Sequence, residues 1–383
     1  MAKKAYIGVE GVARKIKKGY IGVDNVARKI KKVYIGIGGV ARPCWSGGEL
    51  VRYGMITSLP VETSYADAAS VGNCAIFSGF RYFDYSGTLV YGRQIVAYDA
   101  NLTQTTKSGL YDGGLYDGRI NMSCGSIGNY AVFAGGSGSS GMTTTVDGFD
   151  ASLTRASASS LAQARTNAMA ARVGDRLVFL GGTILAGTQY AEFYDKSLSR
   201  SYAEVPLASV ANSGGASSVG NYALFCGGTR SGVQSKAVAF DSSLTRHDLS
   251  IGLSQARSSL SATTVAGFAL FAGGMGDEND VFNTVDVFDG SLTRSNPVSL
   301  PSPRRELLAC TVENFAVFAG GYGPNYYTEA ANVYGVDDSL TLKEVGSLAE
   351  TRATGAAASV GKYALFGGDG KTNQASVEAY VVN

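Results

Sequence analysis

Phe225-Cys226-Gly227-Gly228 is one of seven versions of the same short phrase, an apolar stretch that closes on phenylalanine and then glycine. The others are Ile76-Phe77-Ser78-Gly79, Phe133-Ala134-Gly135-Gly136, Phe179-Leu180-Gly181-Gly182, Phe271-Ala272-Gly273-Gly274, Phe318-Ala319-Gly320-Gly321 and Phe366-Gly367-Gly368. Successive phenylalanines are 56, 46, 46, 46, 47 and 48 residues apart. A period between about 40 and 50 in a strand-rich chain predicts a β-propeller. Length alone, 383 residues, suggests two or three domains. The repeat instead makes residues 50–383 one closed body.

One unit shows how a blade is built. Gly215-Ala216-Ser217-Ser218-Val219 reads as a small-residue strand, and Gly220-Asn221 as a turn. Tyr222 to Gly228 is a second strand, Lys236 to Asp241 a third, and Ser242-Ser243-Leu244-Thr245-Arg246 turns into a fourth ending near Leu253. Four antiparallel strands make a blade. The first strands, such as Ala356-Ala357-Ala358-Ser359, are small because strands converge at the axis. The double glycine lets neighbouring backbones approach. A leucine precedes each unit (Leu59, Leu115, Leu161, Leu207, Leu253, Leu300, Leu348). The last unit, Tyr363 to Val382, lacks a fourth strand, so residues near Val51–Ser58 are expected to supply it and leave no open edge. The expected fold is all-β, a seven-bladed propeller.

Residues 1–43 follow another rule. Tyr6-Ile7-Gly8-Val9-Glu10-Gly11-Val12-Ala13-Arg14-Lys15-Ile16-Lys17-Lys18 returns 14 residues later as Tyr20 to Lys32, with a shorter copy from Tyr34 to Arg42. Glu-Gly, Asp-Asn and Gly-Gly between Val/Ile residues suit two-residue hairpin turns. Val12, Arg14, Ile16 and Lys18 fall on one side, Ala13, Lys15 and Lys17 on the other. Such hairpins bury no core alone and need identical chains or a host structure. This arm holds eleven Lys/Arg against Glu10 and Asp24, so it carries +9; with +2 overall, the rest carries −7. Residues 44–49 read as a linker.

Bulk features narrow the classes. There is no long apolar run and no secretory h-region, so neither a membrane helix nor export is expected. The five cysteines (Cys44, Cys74, Cys124, Cys226, Cys310) form no CxxC pair and read as buried free thiols of a reducing cytoplasm. A single histidine, His247, argues against a His-rich copper site or a Ser-His-Asp triad. No phosphate loop or sialidase-type Asp box occurs. No catalytic residue, metal or cofactor is assigned.

Three residue sets remain. Asp99, Asp150, Asp195, Asp241, Asp289 and Asp337 end third strands and read as turn formers. Arg119, Arg165, Arg257, Arg304 and Arg352 stand four residues after a blade leucine, with Thr63 and Ala211 in the other two places; architecture or an anion site would each suit them. The second-to-third-strand loops and the links into first strands share one face and are rich in tyrosine. There Tyr82, Phe83, Tyr85, Tyr91, Tyr111, Tyr116, Tyr322, Tyr326 and Tyr327 form the candidate ligand-binding set. Asp277, Glu278 and Asp280 offer a weak Ca²⁺ possibility.

The Gly-Gly strand, the aromatic-plus-Asp strand and the Leu-x-x-x-Arg element resemble kelch repeats over residues 50–383, though the fourth-strand tryptophan of that family is missing. The arm resembles Tyr-Ile-Gly-Val tandems at the edges of tail and other structural proteins of phages and prophages of Gram-positive bacteria. The second resemblance implies a non-enzymatic virion component. In that role the arm attaches to other tail proteins or forms a homo-oligomer, and the propeller meets a host cell-surface protein or glycan. The alternative is an intracellular interaction module with a basic tail; a polysaccharide hydrolase or lyase ranks last. Membrane insertion and nucleic-acid binding are not expected.

Overall fold

A computed structural model describes residues 48–383 apart from 64, 108–113, 186–189, 205–211, 326–327 and 370–373, and describes the strands between 6 and 46 as backbone. Among the described residues there is no helix. Seven four-stranded antiparallel sheets stand in a ring. Their first strands are Asp67–Val71, Ser123–Ile127, Met169–Val173, Gly215–Val219, Ser261–Val265, Leu308–Val312 and Ala356–Val360, and each contacts the next around the axis, the last returning to the first. The chain is a seven-bladed β-propeller. Leu50–Ile56 is the fourth strand of blade 7, pairing antiparallel with Val377–Val382 from Leu50↔Val382 to Ile56↔Val377. The ring is therefore closed within a sheet, by main-chain hydrogen bonds.

The repeated phenylalanine has a partner in its own blade. In six blades it meets the third-strand aromatic edge-on, as in Phe77–Tyr98, Phe133–Phe149, Phe179–Tyr194, Phe225–Phe240, Phe271–Phe288 and Phe366–Tyr380, with centroids 5.6–6.2 Å apart. The described blade leucines are buried beside them. The glycines have a steric cause. A Cβ on Gly273 (φ +64°) would lie 2.2 Å from the carbonyl oxygen of Arg304, and the Gly274 N–H donates to that same oxygen at 2.8 Å. Blades 2, 4, 5 and 6 grip the link into the next in this way, through Gly136, Gly228, Gly274 and Gly321.

The small axial strands also bond to one another. The fourth position of each carries Ser70, Ser126, Arg172, Ser218, Thr264, Thr311 or Ser359. Ser70 Oγ donates to Ser359 O (2.7 Å), Ser218 Oγ to Arg172 O (2.7 Å), Thr264 Oγ1 to Ser218 O (3.0 Å) and Thr311 Oγ1 to Thr264 O (2.6 Å); Ser126 Oγ donates to Ser70 O. The hydroxyls stitch five of the seven strands to the preceding blade, so serine and threonine serve for bonding as well as size.

In the arm, Tyr6–Val9 pairs with Val12–Lys15, Gly19–Val23 with Val26–Ile30, and Lys32–Ile37 with Val40–Ser46. The innermost pairs Val9↔Val12, Val23↔Val26 and Ile37↔Val40 leave two residues between strands, as two-residue turns require. The turn residues themselves lie outside the described residues.

Candidate ligand-binding face

The antiparallel order of each blade puts the second-to-third-strand loops and the links between blades on one face. The turns after first and third strands occupy the opposite face. On that opposite face the six aspartates are turn formers. In every case Oδ1 accepts the N–H groups two and four residues on, from Asn101 and Thr103 at Asp99 to Ser339 and Thr341 at Asp337, at 2.8–3.0 Å. The leucine three residues on takes positive φ, between 57° and 64° (Leu102, Leu153, Leu198, Leu244, Leu292, Leu340). The donated N–H groups hold the carboxyl of Asp99 below the usual range; at Asp195 the Ser197 hydroxyl does most to lower it, joined by the N–H groups, and at Asp241 the His247 ring, 2.9 Å away, is the larger cause.

The arginines are building elements too. Arg119, Arg165, Arg257 and Arg352 are completely buried. Arg257 donates from Nε to Gly273 O (2.7 Å) and from Nη2 to Phe271 O (3.1 Å), and its Nη1 lies 2.7 Å from Asp286. Arg119 and Arg165 repeat this with Asp147 and Glu192, each at 2.8 Å. Burial pulls the guanidinium pKa of Arg165, Arg257 and Arg352 down, against the charge of these carboxylates.

The carboxylates, all fully buried on third strands opposite the repeated phenylalanine, were missed in the sequence. Phe133 pairs with Asp147, Phe179 with Glu192, Phe271 with Asp286 and Phe366 with Glu378. Each also takes a backbone N–H just after the blade leucine (Tyr116, Ala162, Ser254, Ala349) and a fourth-strand arginine: Arg155, Arg200, Arg294 or Arg52. A signal existed. Where Thr63 or Ala211 replaces the arginine, Val96 or Val238 replaces the acid. Arg304 lacks the acid, because Tyr334 occupies that place, and it is only half-buried.

What these networks leave free is the loop face. Arg81–Phe83 and Leu89–Tyr91 form a hairpin of their own that extends blade 1. Asp84 Oδ1 shapes its tip, accepting the N–H groups of Ser86 and Thr88 at 2.9 Å, with Gly87 at φ +78°. Tyr85 at the tip is fully exposed; Phe83 is 65% and its cross-strand partner Leu89 is 40% exposed. Tyr116, 53% exposed, stands on the adjoining link, with the Arg155 guanidinium 5.2 Å from its ring centre. That link is tied to the hairpin loop: Leu115 N–H donates to Arg93 O at 2.8 Å, and a Cβ on Gly118 would strike Tyr91 O at 1.8 Å. Blade 1 thus brings Phe83, Tyr85, Leu89 and Tyr116 onto one corner.

The other candidates are placed differently. Tyr82 and Tyr91 are half-buried, and Tyr82 Oη accepts from Gln94 Nε2 at 3.3 Å. Tyr322 is half-buried on blade 6, with blade 7 between it and the hairpin, and the Arg305 guanidinium lies 4.9 Å from its ring centre. Tyr111, Tyr326 and Tyr327 lie outside the described residues. Leu89 was not foreseen; its register opposite Phe83 is what marks it. On blade 5, Asp277 accepts the Val233 N–H of blade 4 at 2.9 Å, and no metal-holding cluster of His, Cys, Asp or Glu is present among the described residues. Cys226 and Cys310 are buried and Cys74 and Cys124 half-buried, all free thiols; burial pushes Cys310 up to about 12.

A scan against models of known protein families finds no match to this chain, and a search of curated proteins finds none either. The fold therefore defines the class: a seven-bladed propeller suited to binding or structural work.

Proposed function

We propose that this is a non-enzymatic structural and binding protein of a phage tail or related virion. The arm attaches or oligomerises the chain, and the loop face meets a protein or glycan on the host surface. The observation that carries the recognition half is the blade 1 corner, where Phe83, Tyr85 and Leu89 stand in solvent on an ordered hairpin. Exposed aromatic side chains fixed on a rigid scaffold offer large contact area at low entropic cost. The repeated aspartates and the buried arginines are occupied by turns and clasps, so neither set competes as a site. The virion assignment rests on the resemblance of the Tyr-Ile-Gly-Val tandem.

Binding of the full chain to intact Gram-positive cells and their envelope fractions tests this. The triple substitution Phe83→Ser, Tyr85→Ser, Tyr116→Ser should lower retention at least tenfold with the melting temperature unchanged. Equal retention by the variant would remove recognition from this corner. The +9 arm favours a second reading, an intracellular interaction module with a basic tail. Retention on DNA that disappears with salt would support that reading instead.

A further inference from the structure

The three arm hairpins share one register. Ile7, Ile21 and Ile35 stand opposite Arg14, Arg28 and Arg42; Gly8, Gly22 and Gly36 opposite Ala13, Ala27 and Ala41; and Val9, Val23 and Ile37 opposite Val12, Val26 and Val40. Alternate residues of a strand belong to alternate faces. One face of every hairpin therefore holds Ile, Val or Ile, Val and a single Arg. The other face holds Tyr6, Tyr20 or Tyr34 with Gly and Ala, joined by Lys15 in the first hairpin and Lys29 in the second. Each hairpin is a two-stranded sheet of its own among the described residues. A two-stranded sheet with one apolar face is marginal in water and leaves strand edges open.

From this we infer that the apolar hairpin faces are the contact between copies of this chain, so that the arms assemble into a homo-oligomeric β-stalk. The inference rests on the attachment half of the proposed function. The occupant follows from the repeat. The same four-residue face recurs three times at a 14-residue step, and a second arm is a surface of matching period and matching apolar character. Charge is sorted to suit. The apolar face carries one arginine per hairpin, while Lys15 and Lys29 are on the other face. An assembly that covers the apolar face leaves Lys15 and Lys29 outside, in solvent.

That sorting fixes the salt dependence. Arms of like charge repel, and screening weakens the repulsion. Self-association should tighten as salt rises, whereas capture of a polyanion would loosen. The experiment is the mass of the full chain by light scattering, from dilute to the highest soluble concentration, at low and high salt. The wild type should have a whole-number multiple of the chain mass. Ile7→Asp, Ile21→Asp, Ile35→Asp together should return it to one chain. Tyr6→Asp, Tyr20→Asp, Tyr34→Asp puts the same charges one residue away on the opposite face and should leave the multiple intact. Propeller melting followed in parallel should not move in either variant. A single-chain mass for the wild type at every concentration overturns the proposal, as does an oligomer that survives the isoleucine variant or dissociates with salt. None of these readings involves the blade 1 corner, so a failure here is distinct from a failure of host binding.

Discussion

Blades 4 and 5 are neighbours on the same 46-residue step, yet they are held together differently. In blade 5, Phe271 faces Asp286, which takes Arg257, the Ser254 N–H and Asn296. In blade 4, Phe225 faces Val238, and the sequence has Ala211 where blade 5 has its arginine. Blade 4 thus has an apolar residue where blade 5 has the carboxylate of its ion clasp. Blades 2 and 3 repeat the ion pair; blade 7 has both residues, but there Arg352 donates to Phe366 O and Ser376 while Glu378 pairs with Arg52; blade 1 has neither. Blade 6 keeps Arg304 without an acid, and there the arginine is only half-buried. The difference teaches that arginine and carboxylate are one unit. A buried charge persists only with its counter-charge and hydrogen bonds.

The most severe way to break this comparison is to remove one partner. Arg257→Met leaves Asp286 buried with Arg294, 3.6 Å away, as the remaining cation, and should cost about 3–5 kcal/mol in denaturant unfolding. The double change Arg257→Met, Asp286→Val gives blade 5 the chemistry of blade 4 and should recover most of that loss. A double variant as unstable as the single one would mean that the clasp is not a unit.

A smaller effect sharpens what the two blades share. Asp241 and Asp289 make the same turn, so Asp289→Ala should cost about 1–2 kcal/mol through lost hydrogen bonds to a charged acceptor. Asp241→Ala should cost somewhat more, since it also frees His247. A clear excess at Asp289 would tie the turn to the clasp.

The last test uses blade 1, which lacks the clasp but keeps a recessed carboxyl, Asp67. Burial pushes it up from 3.8 to about 7, opposed by the Met122 N–H at 3.2 Å and the charge of Arg119. The folded state therefore holds the proton more tightly than the unfolded chain. This contribution to stability is complete below the unfolded value and is lost as pH rises through the folded one. The melting temperature of Asp67→Asn, measured against wild type, should gain between pH 5 and pH 8. A gap independent of pH would show that Asp67 does not titrate in that window.

Much of this was legible because repeats expose themselves. Seven phenylalanines and seven leucines at one spacing give blade number and register, and a missing fourth strand in the last unit gives the closure by Leu50–Ile56. The Asp-x-x-Leu turns were readable because the carboxylate bonds backbone only two and four residues away. The clasp was not, since Arg257 and Asp286 are 29 residues apart and meet only when strands pair. The axial hydroxyls escaped for the same reason, as Thr264 bonds Ser218 across two blades. On the ligand face, tyrosine content pointed to blade 1 but not to which rings stand free. Phe83 and Tyr85 are exposed while Tyr82, next to Phe83 on the same strand, is half-buried.

By itself, the sequence determined the propeller, its seven blades, the turn chemistry and the division between a basic arm and an acidic body. These depend on spacing, local backbone bonding and summed charge, all of which are properties of the linear chain. Only the tertiary structure decided that the arginine set is internal bracing and that one hairpin on blade 1 holds the exposed aromatic corner. Burial and exposure depend on what the other strands bring to the same place, and residues distant in sequence carry that information.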